Sequence, residues 1–278
     1  MKNIYFFLCS TWVIFKLERG LKNKLSLFFD FARIFFKYNF LVKPFKIKLR
    51  SEKISGYSVK FSDYRTFQSL FSDIFIHKEY DFVSDNDSPL IVDCGTNFGM
   101  SAIYFKIKYP RSRVICFEPH KETFKLLEEN MVNNNFRGVE LHDAALSDRG
   151  GTSRFYSDAD KNNITGMSLT RRLEEKGMRL AEESVKTVLL SDFIDGPVDF
   201  LKMDIEGSET DVLGDIRAKS KLALVKKIVC EYHYSASGQT NRLGALLDIV
   251  EGSGFRYAIR ANAELPFDFS GNKPFNLL

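Results

Sequence analysis

Two short blocks of ionisable residues could do chemistry in this sequence. The first is Phe200-Leu201-Lys202-Met203-Asp204-Ile205-Glu206-Gly207, where Lys202, Asp204 and Glu206 share one face if an extended strand runs through them. Three charges in an otherwise apolar strand are costly to bury unless they pair or serve a site. The second is Glu231-Tyr232-His233, another i, i+2 pair at the end of an apolar run. If the two strands are neighbours, their carboxylates and the imidazole converge. Asp204, Glu206, His233 and Lys202 are therefore the candidate catalytic residues. His233 has the ordinary pKa best suited to taking a proton from a weakly acidic hydroxyl near neutral pH, and Asp204 or Glu206 could act as base or orient the acceptor. Asp204, Glu231 and His233 also make a mixed oxygen and nitrogen set for a divalent cation, which would acidify such a hydroxyl. A purely structural Lys202–Asp204 pair is the plainer alternative.

A binding element precedes these blocks. Leu90-Ile91-Val92-Asp93-Cys94-Gly95-Thr96-Asn97-Phe98-Gly99 reads as a buried strand, a glycine turn and the start of a helix. The N-H groups and positive dipole end of such a helix favour an anionic group, either a pyrophosphate or the carboxylate of an amino acid. Asp93 before the turn would repel a pyrophosphate but suits the ammonium of S-adenosylmethionine, and Gly-x-x-x-Gly departs from the dinucleotide spacing GxGxxG. Asp93, Gly95, Asn97 and Gly99 are thus expected at the cofactor. Glu118 follows Gly95 by 23 residues, where an acid accepts hydrogen bonds from ribose hydroxyls. Asp143, after the next strand, stands where an adenine amino group could donate to it, and a simple turn aspartate explains it equally well.

The elements that must position these groups alternate as in a doubly wound parallel α/β sheet with helices on both faces. Strands are expected at residues 90–94, 114–117, 139–142, 198–203 and 227–232, with helices over 98–108 and from Pro119 to Asn133-Asn134-Asn135. Residues 255–259 read as a late antiparallel strand, and the polar stretch 149–184 as a lid or insertion. Upstream, Asp85-Asn86-Asp87-Ser88-Pro89 marks a boundary. It separates the domain at 89–278 from a helical lead-in at 51–88 and a basic, aromatic segment at 1–50.

That segment carries eleven Lys+Arg against Glu18 and Asp30, a balance of +9 in a chain of net charge +4, which leaves −5 for the rest. A mildly acidic body argues against a nucleic-acid partner. Residues 4–15 are apolar but too few to span a bilayer of roughly 30 Å, and no small-x-small cleavage site follows. The stripe Leu21, Leu25, Phe28, Ala32 and Phe35 is helical, and Phe45-Lys46-Ile47-Lys48-Leu49 alternates like an exposed strand. A helical hairpin packed on the domain and a peripheral membrane contact through residues 1–45 both fit. Cys94, Cys116 and Cys230 lie in apolar runs and Cys9 stands apart, with no CxxC spacing, which suits a cytoplasmic protein resting on the inner membrane face.

Taken together, Asp93-x-Gly95-x-Asn97-x-Gly99, Phe117-Glu118-Pro119, Ala145-Leu146-Ser147-Asp148, Leu201-Lys202-Met203-Asp204-Ile205-Glu206-Gly207-Ser208-Glu209 and Glu231-x-His233 resemble the FkbM family of S-adenosylmethionine-dependent methyltransferases. The resemblance covers roughly residues 60–260. It implies the class I methyltransferase (Rossmann-like) fold and O-methylation of a sugar, glycolipid or natural product. Two other functions fit the residues. A nicotinamide-dependent oxidoreductase would use the same fold, and an accessory protein would bind the cofactor without catalysis.

Overall fold

The computed structural model describes residues 2–158, 167, 169, 179–233 and 242–260. Its N-terminal part is a helical hairpin, α1 (Lys2–Leu17) and α2 (Leu21–Lys37), which packs Ile14, Phe31, Ile34 and Phe35 into one core with the rest of the protein. The buried face of α2 is Leu27, Phe31, Ile34 and Phe35, rotated from the expected stripe, so Leu21 and Leu25 stand exposed. The rotation has an electrostatic partner: Arg33 and Lys37 both reach the buried Glu52 carboxylate.

Two upstream expectations are corrected. Residues 45–49 form no strand, because Lys46 turns left-handed after the helical turn Lys43–Phe45. The strands are β1 (Ser51–Ile54) and β2 (Tyr57–Lys60), an antiparallel hairpin in the stretch expected to be helical. Its two-residue turn, Ser55-Gly56, takes positive φ at both positions, as the twist of a tight hairpin demands. Helix α3 (Tyr64–Phe71) follows, capped by Asp63, whose carboxylate accepts from Arg65 N and Thr66 N. It runs into a π-turn, Ser72–Ile76.

Among the described residues the central sheet has five parallel strands. In chain order these are β3 (Leu90–Cys94), β4 (Arg113–Phe117) and β5 (Val139–His142), then β9 (Phe200–Met203) and β10 (Ile228–Cys230), arranged spatially β10-β9-β3-β4-β5. Alternate side chains enter two cores. Ile91 and Phe200 pack with the N-terminal helices, α4 (Met100–Lys108) and α5 (Lys121–Asn133), while Val92, Cys94, Leu201 and Met203 pack with α6 (Glu209–Ala218) and α7 (Leu243–Gly252). The fold is the expected doubly wound α/β architecture.

Two further differences concern the sheet margins. Both ends of 149–184 are regular: β7 (Gly151–Asp158) pairs antiparallel with β8 (Leu180–Val188), which also carries β6 (Ala145–Leu146). Charged residues obscured its alternation, yet Val185 and Thr187 are buried on either side of the exposed Lys186. The expected lid between them falls outside the described residues except at 167, 169 and 179. Residues 255–259 are not a strand, since the Phe255 N-H donates to Val250 O at the end of α7 instead of joining a ladder.

Candidate active site

The strand order reverses between β3 and β9, the place where open α/β sheets bind ligands beyond the strand ends. Gly95 is needed there for a reason internal to the protein. Its φ is +80°, and a Cβ would lie 1.8 Å from the Asp204 carbonyl oxygen, so only glycine lets the two strand ends meet. Gly99, at φ +95°, caps α4, and a Cβ would fall 2.8 Å from Leu127 Cδ1 on α5.

The turn is held by its own hydrogen bonds. Gly95 N and Thr96 N donate to Phe117 O, Gly99 N to Thr96 O, Phe98 N to Asn97 Oδ1 and Asn97 N to Glu118 Oε2. An anion is therefore left to the first turn of α4, and the turn itself offers no cradle for the pyrophosphate of a nicotinamide dinucleotide. Glu118 is buried and lines the cavity, with Oε1 accepting from His120 N. Burial pushes its carboxyl up to about 7, against the two N-H groups that favour the charge.

Asp93 is in register with Lys202 on the neighbouring strand. Its carboxylate is fully buried, accepts from Ser101 Oγ at 2.5 Å and lies 3.4 Å from Lys202 Nζ. It does not line the cavity, so the expected contact with a cofactor ammonium is corrected to a contact with lysine. Lys202 Nζ donates to Gly95 O at 2.6 Å and Cys94 O at 3.2 Å and stands 3.7 Å from Asp204 Oδ2. Although burial opposes the charge, Asp93 and Asp204 hold this ammonium above the usual lysine range, so Lys202 positions rather than accepts protons. Asp143 is exposed and outside the cavity lining, which its neighbours Ala144 and Ala145 reach instead.

At the other end, His233 sits among four carboxylates. Its Nδ1 bonds Glu209 Oε1 at 2.9 Å, while Nε2 lies 3.4 Å from Glu206, 3.5 Å from Glu231 and 3.9 Å from Asp204. Burial works against its charge, but these acids lift the imidazolium to about 10. The expectation of a neutral imidazole base near pH 7 is thereby corrected: the carboxylates claim the proton. Asp204, a quarter exposed at the cavity, rises to about 6 through desolvation and the nearby Glu231, despite Lys202. Glu206 occupies the left-handed region at φ +56°, the kind of strain that gathers at functional sites.

Asp204, Glu206 and His233 each offer a ligand atom within 4.8 Å of the others, so among the described residues the set with the spacing to hold a cation contains Glu206 where the sequence suggested Glu231. Residues missed in the sequence complete the site. Glu209, the first residue of α6, orients His233; its place inside the acidic block was the available signal. Asp73, His77, Glu79 and Tyr80 enter from the π-turn and the residues after it, which no sequence pattern marked. These four line a cavity of about 400 Å³ running from Glu118 to Glu231, with Glu209 and His233 behind its wall. Glu79 is pushed up to about 7 by burial and by Glu231, Asp73 and Asp204.

The Methyltransferase FkbM domain family matches residues 93–257, more than half of the chain, from the glycine turn past His233. The chain belongs to the FkbM methyltransferase family. "Methyltransferase 1" of Beauveria bassiana (strain ARSEF 2860) is 34% identical over 161 residues, covering 52% of this chain and 65% of that protein. The match thus spans just under two thirds of that relative. "Methyltransferase sdnD" of Sordaria araneosa is 28% identical over 209 residues, 65% of this chain and 80% of the other. "2-O-methyltransferase NoeI" of Sinorhizobium fredii (strain NBRC 101917 / NGR234) is 26% identical over 174 residues, 58% and 70% respectively. In this FkbM chain the matched segment contains every strand of the central sheet except the first three residues of β3.

Proposed function

We propose that this FkbM-family protein is an S-adenosylmethionine-dependent O-methyltransferase acting on a hydroxyl of a sugar, glycolipid or natural product. One observation carries the reading: a single cavity joins a hydrogen-bonded carboxylate, Glu118, to the acidic cluster of Asp204, Glu206 and Glu231 around the strand-order reversal. The residues fit the cofactor. Glu118 would offer its buried carboxylate to ribose hydroxyls, and the first turn of α4 would hold an amino-acid carboxylate.

When bound, the cofactor supplies a methyl group already activated on a sulfonium. The protein's task is alignment and proton removal. Lys202 ties the glycine turn to Asp204, and Glu209 fixes the His233 ring, so the two halves of the site are held at one geometry. Asp204, ionised above about 6, is the proton acceptor, with His233 balancing the negative charge around it. A divalent cation held by Asp204, Glu206 and His233 would displace the imidazole proton and acidify the acceptor hydroxyl. An oxygen acceptor is also consistent with the printed name of the NoeI relative, a 2-O-methyltransferase.

Calorimetry with S-adenosylmethionine tests the first half of this reading, and saturable binding is expected. Titration with Mn²⁺ tests the second: binding to the native protein and its loss in His233→Ala are expected. No saturable cofactor binding would refute the methyltransferase reading, and Mn²⁺ affinity equal in both proteins would refute the cation site.

A further inference from the structure

The α1–α2 hairpin packs only one side of each helix. On α1, Leu8, Trp12 and Phe15 follow one another at spacings of four and three on the outer side, with Trp12 61% exposed. On α2, Leu21, Leu25 and Phe29 repeat every four residues, with Phe29 64% exposed. The two rows are continuous: the Phe15 ring lies 6.0 Å from Phe28 of α2, and Phe28 lies 5.7 Å from Phe29. Beyond the C-terminal end of α2, Phe40 and Phe45 are exposed as well. Apolar faces of this extent on a folded protein mark a surface that meets something other than water.

The charges around the face say what that is. Both acidic residues of the segment are engaged, Glu18 by Lys78 at 2.6 Å and Asp30 by Arg33 at 2.9 Å. Arg33 and Lys37, on the inner side, are matched by Glu52. Among the described residues, the exposed cations left are Lys16, which lies over the Trp12 ring, with Arg19 and Lys22 at the hairpin turn, and Lys43, Lys46, Lys48 and Arg50 beyond α2. They bracket the apolar rows at both ends. Lysines at the margins of a Trp, Phe and Leu face match the layering of an anionic bilayer surface, where rings enter the acyl boundary and ammonium groups meet the headgroups. Neither helix passes through it: at 16 and 17 residues they are each about 25 Å long, and no described helix is long and apolar enough to cross a membrane.

We infer that the outer face of the α1–α2 hairpin docks on the surface of an anionic lipid bilayer. The hairpin turn is bolted next to the cavity, because Glu18 pairs with Lys78, which stands between the cavity-lining His77 and Glu79.

Trp12 is the sole tryptophan of the chain, so it reports on the face directly. The full chain is mixed with vesicles of phosphatidylcholine alone or with phosphatidylglycerol added, and Trp12 emission and co-sedimentation are measured. A blue shift and sedimentation with the anionic vesicles, weakened by salt, are expected. Leu8→Glu with Phe29→Glu, exposed positions that leave the core intact, lowers partitioning by about tenfold or more. Lys22→Glu with Lys46→Glu removes the preference for anionic over neutral vesicles. An unchanged melting temperature in both variants confirms that they fold. Absence of wild-type partitioning into either vesicle overturns the inference. So does a Trp12 blue shift that follows protein concentration without lipid, which would make the face a contact between two copies of the chain.

Discussion

Glu118 offers the sharpest test of the cofactor end. Its carboxyl sits at about 7 in the free protein, some 2.5 units above the ordinary 4.5, which corresponds to about 3 kcal/mol for keeping it ionised in place. The sign follows from linkage. Because the folded protein binds this proton more tightly than the unfolded chain, the group's contribution to stability is complete below pH 4.5 and lost as pH rises through 7. The ribose hydroxyls of a bound S-adenosylmethionine would donate to the carboxylate form and reverse that preference. The competent fraction is then about 0.1 at pH 6 and 0.9 at pH 8, so the apparent Kd for S-adenosylmethionine should be about tenfold weaker at pH 6. In Glu118→Gln an amide N-H₂ replaces one of the two oxygens that accept from Asn97 N and His120 N, leaving one donor unmatched at about 1–3 kcal/mol. Binding should weaken and lose this pH dependence. Calorimetry at the two pH values, with proton uptake followed in buffers of different ionisation enthalpy, measures both. A tenfold pH ratio that persists in Glu118→Gln would refute the assignment, as would a wild-type affinity equal at pH 6 and 8.

Lys202→Met leaves Asp93 buried without its cation and should destabilise the protein by about 3–5 kcal/mol in urea denaturation, with Asp93→Asn in the same chain recovering part of the loss. Full additivity of the two changes would show that the pair is not coupled. Gly95→Ala drives a Cβ into the Asp204 carbonyl and should cost more than about 4 kcal/mol. Gly56→Ala, at φ +87° but in open space, should cost about 1–2 kcal/mol for its left-handed backbone alone. Similar losses at the two glycines, measured by the same denaturation, would remove the steric argument for Gly95.

The sequence carried the central sheet because its signals are local. An unbroken apolar run such as Leu90-Ile91-Val92 admits few alternatives once it is followed by a glycine turn, and each of the five parallel strands overlaps its expected span. The β1–β2 hairpin was hidden because its short strands, Ser51-Glu52-Lys53-Ile54 and Tyr57-Ser58-Val59-Lys60, carry charge and little apolar run between aromatic helices. Only the Ser55-Gly56 turn distinguishes them, and positive φ at a serine is not visible in its identity. The strand expected at 255–259 failed for a different reason. Its residues alternate suitably, but Phe255 N is already committed to α7, and a strand exists only where a ladder receives it.

Where a carboxylate points is harder to read than where it stands. Asp93, Asp204 and Glu118 all occupy the strand-end region that the sequence marked, yet one faces a lysine inside the protein and the other two line the cavity. The two-residue period of a strand fixes the face of Asp93, but only the pairing of β3 with β9 puts Lys202 on that face beside it. The same dependence governs His233. Its identity suggests a base near neutral pH; the surrounding Glu209, Glu206, Glu231 and Asp204 make it a cation instead. Two of its neighbours are then the groups with which it would hold a metal, so proton and metal compete for one imidazole nitrogen, Nε2. The acidity of the block thus has a structural part, in which Asp93 neutralises Lys202 and Glu209 orients His233, and a chemical part left to Asp204 and Glu206 at the cavity.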